Sequence, residues 1–430
     1  MKSTSAKLIP QASRSRGYGP QQIGGANAAN PGGMAGLHDL HPDTIAVHGD
    51  RSVNSSRALS PPIFQTSAFR AADAAEFARS ASEPQSDRFY TRYGNPNHTQ
   101  AAAVIAKLER AQAALIFPSG MAALTAAILA VCKQGDHVVA HRGMYAGTQT
   151  LLNDVLARLG IACTLMDQTR VEDFAAAIRP ETRLAIVETP SNPVLTVTDL
   201  RAVASLAKER GVLTIADNTF ATPINQLPLS YGIDIVMHSA TKYLGGHSDL
   251  SAGALASTHE LIERIWSVSL KLGFAVNGFD SWLLLRGLRT LALRIERQNA
   301  NALAIAEFLH AHAGIATVHY PGLKSHPQHT LACAQMNGFG GIISFELASG
   351  KERIEHFLLA LGIIARAPSL GGVESTLVHQ RAMWSSNMTD DEWRAAGISP
   401  SLLRLSCGIE HPADLIADLQ AALEGVASKE

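Results

Sequence analysis

Between residues 114 and 237, short apolar runs alternate with stretches of helical spacing, and that alternation constrains the fold more than any other feature. The runs lie at 114–117, 137–140, 184–187, 212–216 and 233–237, and the helical stretches at 121–131, 148–159, 171–178 and 200–209. Apolar runs this short cannot make a helix and read as buried strands. Strands linked by helices run parallel, because a parallel neighbour is reached only by a long crossover, and the helices then cover both faces of the sheet. The expectation is an α/β chain with a mainly parallel, doubly wound sheet. A further helix is expected from about residue 97, after the breaker Asn95-Pro96, and 261–313 reads as helix-rich. A smaller α+β unit closes the chain, with strands at 316–319, 342–346 and 402–406 and helices at 352–360 and 413–424.

Composition narrows the function classes. The chain has 430 residues, 46% of them hydrophobic, enough for a large core. A net charge of -1 leaves no electrostatic footprint for nucleic acid or an anionic membrane. No run of 18 apolar residues occurs, so no membrane span is expected. Cys132, Cys163, Cys333 and Cys407 are scattered without metal spacing and read as buried thiols of a reducing, cytoplasmic compartment. Residues 1–36 are rich in small and amide residues, carry Lys2, Lys7, Arg14 and Arg16, and precede the first acid, Asp39. No apolar run follows these basic residues, which excludes a secretory signal. A disordered tail and an organelle transit peptide both fit such a start; the glycines and weak helical pattern favour the tail.

In a parallel sheet, ligands bind beyond the carboxyl ends of the strands. Four adjacent expected strand ends are polar here: Ser119-Gly120-Met121, Glu188 to Asn192, Asp217-Asn218-Thr219 and His238 to Lys242. Ser119-Gly120-Met121 opens a helix, where free N–H groups and the dipole favour an anion; an ordinary serine cap reads equally well. Ser239 and Thr241 would complete a phosphate cup. Asp217, in an apolar setting, needs a cationic partner such as a protonated pyridine nitrogen, or else forms an Asx-turn. Tyr145 stacks on a flat ring or belongs to the core. Lys242 is a surface loop lysine or an amine poised to condense with an aldehyde. Taken together, these residues describe a site for pyridoxal 5′-phosphate.

The wording of the motifs carries a resemblance. YTRYGNPN, FPSGMAA, ETPSNP, DNTFATP, HSATKYLGGHSD, FDSWLLLRGLRTL, SLGGVES and LLRLSCGIEHPADLIADL stand in the order found in the Cys/Met-metabolism group of pyridoxal-phosphate enzymes. That group contains cystathionine γ-synthases, γ-lyases and β-lyases, and the chain resembles it from about Thr44 to Leu423. The resemblance implies a fold-type I enzyme. It divides the chain into a tail (1–36), an arm contacting a neighbouring subunit (37–96), a cofactor-binding domain (97–290) and a C-terminal α+β domain (291–430). Lys242 would form the imine with the cofactor and shuttle protons, and Asp217 would pair the ring nitrogen. Gly120, Met121, Ser239 and Thr241 would hold the phosphate. Tyr145 would stack on the ring and take part in catalysis, and Asn192 would lie beside cofactor and substrate. Ser369 and Arg404 would bind the substrate carboxylate, a task suited to a planar, two-pronged cation. Tyr90 and Arg92 would reach the phosphate of a neighbouring subunit, in a dimer or a dimer of dimers. No metal is expected, His326 and His329 belonging to a recurring structural loop.

Two departures bear on the reaction. Many γ-synthases and γ-lyases carry Glu before the SLGG serine, where this chain has Pro368; Ala146-Gly147 follow Tyr145, where methionine γ-lyases usually have a cysteine shortly after. The expected activity is γ-replacement on an O-acylhomoserine by cysteine. The alternatives are cleavage of cystathionine at its γ- or β-carbon, O-acetylhomoserine sulfhydrylation and methionine γ-cleavage. A catalytically silent paralogue is disfavoured by the presence of Lys242, Asp217, Tyr145 and Arg404. A nicotinamide oxidoreductase is disfavoured because no GxGxxG follows the first strand.

Overall fold

A computed structural model describes residues 40–56, 58–167, 169–383, 393 and 398–427; the basic stretch 1–36 lies outside them. The larger sheet contains β1 (Ala113–Phe117), β2 (His137–His141), β3 (Ala162–Met166), β4 (Thr182–Glu188), β5 (Leu213–Asp217), β6 (Ile235–His238) and β7 (Gly253–Ser257). Their spatial order is β1-β7-β6-β5-β4-β2-β3. From β6 to β3 every pairing is parallel, while β7 runs antiparallel to both its neighbours. The expected mainly parallel α/β architecture is present, with one correction. The four polar strand ends are not all adjacent, because β7 is threaded between β1 and β6. The insertion depends on Gly253, where an added Cβ would fall on the Ser119 carbonyl.

Both faces of this sheet are covered, as apolar strands require. On one side Leu124 and Ile128 of the helix Gly120–Val131 meet Ile262 and Ile265 of His259–Leu272. On the other, Val104 and Ile105 of Pro96–Leu108 pack with Leu284 and Leu288 of Gly278–Leu288. Asn95 caps Pro96–Leu108 by accepting from the Asn97 N–H at 3.0 Å, so the Asn-Pro breaker doubles as the helix start. The helix expected over 148–159 divides into Ala146–Thr150 and a π-helical stretch, Leu151–Leu156. The helix-rich stretch divides at Gly273, a left-handed cap with φ 76° that ends His259–Leu272.

The long helix Leu291–Ala311 leads into a fully antiparallel sheet of β8 (Ile315–His319), β9 (Ile342–Leu347), β10 (Thr376–His379) and β11 (Leu402–Ser406), ordered β10-β11-β9-β8. The same helix braces the turn that carries Lys242: buried Arg294 donates to the Tyr243 carbonyl at 2.7 Å and to that of Gly287 at 2.8 Å. One turn later Gln298 donates to the Gly372 carbonyl at 2.7 Å, fixing the segment that follows Ser369. Among the described residues no helix is long and apolar enough to cross a membrane. Of the four cysteines expected to be buried, Cys132 and Cys407 are, whereas Cys163 on the edge strand β3 is half-buried and Cys333 is exposed.

Candidate active site

The carboxyl ends of β1, β6, β5 and β4 open onto a cavity of about 440 Å³, closed from the other side by residues of the C-terminal sheet region. Every residue expected at the site lines it except Tyr90 and Arg92. Those two lie in the arm, where the Arg92 guanidinium donates to the Leu270 carbonyl at 3.0 Å and sits 5.6 Å from the centre of the Tyr90 ring.

One end of the cavity suits an anion. The Ser119 hydroxyl caps Gly120–Val131 by accepting from the Ala122 N–H at 3.1 Å, leaving the N–H groups of Gly120 and Met121 at the helix start. A Cβ on Gly120 would come within 2.9 Å of Ser239 Cβ, so glycine keeps the space between helix and β6 open. Thr241 is also occupied structurally: its hydroxyl donates to the Ala252 carbonyl and accepts from the Ala252 N–H, tying the lysine turn to the strand that returns.

Lys242 faces the same space. Its Nζ donates to Ser369 Oγ at 2.6 Å, and burial, reinforced by the positive charge of Arg404, lowers its pKa to about 8. Ser369 holds a left-handed backbone with φ 78°, a strained geometry for a residue with a side chain. Arg404 reaches in from β11. It donates to Asn192 Oδ1 at 2.9 Å and to the Ser369 carbonyl at 3.0 Å, while its buried Nε has no partner among the described residues. Burial pulls its pKa down to about 10. A buried guanidinium with a spare donor is a ready acceptor of a carboxylate.

Two carboxyl groups sit side by side, Glu188 and Asp217 being register partners on β4 and β5. Burial raises the pKa of both, and the Asp217 charge helps push Glu188 to about 8. Opposing this, Asp217 accepts from the Thr219 hydroxyl and N–H, and Glu188 accepts from the N–H groups of Tyr145 (3.0 Å) and Asn192 (2.7 Å). Glu188 thereby positions two cavity residues, a role the sequence reading did not assign. The signal available was its place, one residue beyond an apolar run and level with Asp217. Gly147 makes room for Tyr145, since a Cβ there would land on the phenol ring. His326 and His329 are engaged locally, His329 Nδ1 with the Pro321 carbonyl at 2.8 Å, and no cluster of metal-ligating side chains occurs among the described residues.

The donor set fits pyridoxal phosphate: an anion cup at a helix start, an amine with a lowered pKa, a buried carboxylate and an aromatic ring at the cavity wall. The family described as Cys/Met metabolism PLP-dependent enzyme matches residues 43–424. The chain is 42% identical to the cystathionine gamma-lyase of Bacillus subtilis (strain 168) over 385 residues, covering 89% of this chain and 99% of that protein. It is 40% identical to the L-methionine gamma-lyase of Fusobacterium nucleatum subsp. nucleatum over 386 residues, covering 89% and 98% respectively. Among solved structures it is similar to cystathionine gamma synthase from Xanthomonas oryzae pv. oryzae in complex with aminoacrylate and cysteine. That likeness has a TM-score of 0.86 at 39% identity and covers 91% of this chain and 100% of the other.

Proposed function

This chain belongs to the pyridoxal-phosphate-dependent enzymes of Cys/Met metabolism, and from that premise we propose that it performs γ-replacement, cysteine displacing the acyl group of an O-acylated homoserine to give cystathionine. It is an enzyme of the transferase or carbon–sulfur lyase kind, its cofactor is pyridoxal phosphate and its substrates are small amino acids. The observation that carries the finer reading is the wall beside Ser369. Pro368, Leu370 and Met383 line the cavity there, an uncharged wall that suits the acyl arm of an O-acylated homoserine.

Bound pyridoxal phosphate supplies an electron sink for the carbon next to the substrate amine. The residues of this chain supply the rest. Gly120, Met121, Ser239 and Thr241 would hold the phosphate, Asp217 would pair with the ring nitrogen, and Tyr145 would cover the ring. Arg404 clamps the substrate carboxylate with the help of Asn192 and Ser369. Lys242, a neutral amine above about pH 8, takes the proton from Cα, and Ser369 holds its nitrogen in place. Loss of a Cβ proton then expels the acyl carboxylate from Cγ, the cysteine sulfur adds there, and protons return to Cβ and Cα, the proton given up by the thiol balancing the carboxylate that leaves.

The same reading includes a homo-oligomer in which Tyr90 and Arg92 complete a neighbour's phosphate site, and placement in the cytoplasm. The exposed Leu59, Phe77 and Tyr90 of the arm support the shared site. It also keeps the division at about residue 290, which separates the two sheets. Cleavage of cystathionine is the second reading, favoured by the lyase names of the relatives.

Product analysis with cystathionine, O-acetylhomoserine and O-succinylhomoserine, each with and without cysteine, separates the two. Pro368→Glu should raise kcat/KM for cystathionine relative to O-acetylhomoserine by about 1 kcal/mol, the worth of a partly solvated ion pair. A wild type that strongly prefers cystathionine, with a ratio unmoved by Pro368→Glu, would remove the support for γ-replacement.

A further inference from the structure

The helix Leu291–Ala311 carries a buried polar stripe where packing alone favours apolar residues. Arg294, Gln298 and Asn301 are spaced i, i+4 and i+7, so they share one face, and they are 4%, 0% and 0% exposed. Each donates to backbone carbonyls of a neighbouring segment. Arg294 reaches the Tyr243 and Gly287 carbonyls, while its Nε meets the Thr290 hydroxyl at 3.1 Å. Gln298 reaches the Gly372 carbonyl, and Asn301 those of Gly408 at 3.0 Å and Glu410 at 2.9 Å. The arrangement is costly. Arg294 has no acidic partner among the described residues, and Gln298 Oε1 and Asn301 Oδ1 are buried there without a hydrogen-bond partner. Apolar side chains of similar volume would avoid these costs, so the donors need a reason beyond filling space.

Two of the three ties converge on one contact. Tyr243 follows Lys242, and Gly372 lies three residues past Ser369. Between them Gly371, at φ 78°, leaves no space: an added Cβ would come within 2.8 Å of the Tyr243 nitrogen and 3.1 Å of the Lys242 carbonyl carbon. Across that contact Lys242 Nζ donates to Ser369 Oγ. The lysine turn also closes down on the helix through Gly246, where a Cβ would fall on the Arg294 guanidinium. The helix thus holds both backbones, the one that carries the amine and the one that carries its hydroxyl partner. It does so from outside the cavity, which neither Arg294 nor Gln298 lines. Asn301, farther along the same face, ties the chain just past β11 and reaches neither segment.

We propose that Arg294 and Gln298 are positioning residues for proton transfer at the substrate Cα: by fixing the Tyr243 and Gly372 carbonyls they seat the Lys242 amine against Ser369. The inference rests on the assignment of Lys242 as the group that takes that proton. It is tested in the full chain with Arg294→Lys, which keeps the charge but loses the fork, and Gln298→Met, which keeps the length but loses the donor. Asn301→Leu is the comparison, removing a tie on the same helix face that reaches neither Lys242 nor Ser369. In the unloaded protein, stopped-flow absorbance gives the rate of pyridoxal phosphate uptake. Titration gives the affinity for deoxypyridoxine phosphate, the analogue without the aldehyde. In the loaded protein, exchange of the glycine Cα proton with D2O is measured per bound cofactor. Both variants should slow uptake and exchange roughly ten- to a hundredfold, as misplacing a reacting group does, while affinity for the analogue stays within about twofold. Asn301→Leu should leave both rates close to wild type even where it lowers the melting temperature. Either variant carries the test if the other does not fold. Rates at the wild-type level, or slowed as much by Asn301→Leu as by the other two, would reduce the stripe to a scaffold and overturn the proposal. Lys242→Ala separates the two layers. If it abolishes exchange while neither stripe variant slows it, only this inference fails; if exchange persists in it, the assignment of Lys242 fails as well.

Discussion

At the scale of single residues, Lys242 carries the clearest pH dependence. An ordinary lysine with a pKa of 10.5 is almost wholly protonated near neutrality; at about 8 roughly one Lys242 in ten is a free amine at pH 7. Because only the free amine attacks an aldehyde, the rate of cofactor uptake by the unloaded protein should rise with pH and level off above about 8. Arg404→Gln removes a positive charge that lowers this pKa, so the plateau should move to higher pH; stopped-flow absorbance checks both. The sign also reaches stability. Between about 8 and 10.5 the unfolded chain holds the lysine proton that the native state has released, so Lys242 stabilises the unloaded fold increasingly as pH rises through that window. The place of Lys242 in the cavity was legible because strand, hydroxyls and glycines surround it in one stretch. That of Glu188 was not, because its meaning comes from lying level with Asp217 on another strand and from accepting two backbone N–H groups, neither of which is local in sequence.

Among the elements, the helix start at Gly120 makes the sharpest prediction. A methyl group there has no room against Ser239, so Gly120→Ala should weaken binding of pyridoxal phosphate at least about tenfold, or ~1.4 kcal/mol. Binding of pyridoxal, which lacks the phosphate, should change little, and equal losses for both would place the phosphate elsewhere. The strands that the alternation of patterns exposed are mostly central and largely apolar, and β1, at an edge, showed itself because all five of its residues are apolar. Three strands escaped it, each for a physical reason. In β7 the sequence GALAS is built of small residues with weak strand preference, tolerated because both its neighbours cover it. Strand β3 lies at the sheet edge with an exposed first residue, and β10 is a four-residue edge strand. Edge strands are short and half-solvated, so they carry little apolar signal. The breaks inside the helix-rich stretch were hidden because apolar spacing continues across Gly273 even though the backbone does not.

For the whole molecule, the test is complementation. Arg92→Ala should weaken cofactor binding by about 1.5–3 kcal/mol, the worth of a charge-assisted contact. Mixed with Lys242→Ala subunits it should recover part of the activity, since a mixed dimer would hold one intact composite site. Mixed dimers that form yet stay inactive would show that each chain serves its own site. A last consequence concerns the order of assembly during synthesis. Strand β1 has β7 as its sheet partner, and the two are separated by roughly 140 residues of chain. One wall of the anion cup, Ser119 to Met121, emerges early from the ribosome, but it is docked to the Ser239 wall only when Gly253–Ser257 has been made and threaded into place. The parallel core can zip up progressively before then, while the cup depends on a late, long-range closure of the kind that slows folding. With the phosphate held as proposed, its capture follows closure of the large sheet, so a nascent chain that retains cofactor should be one whose large sheet is already complete.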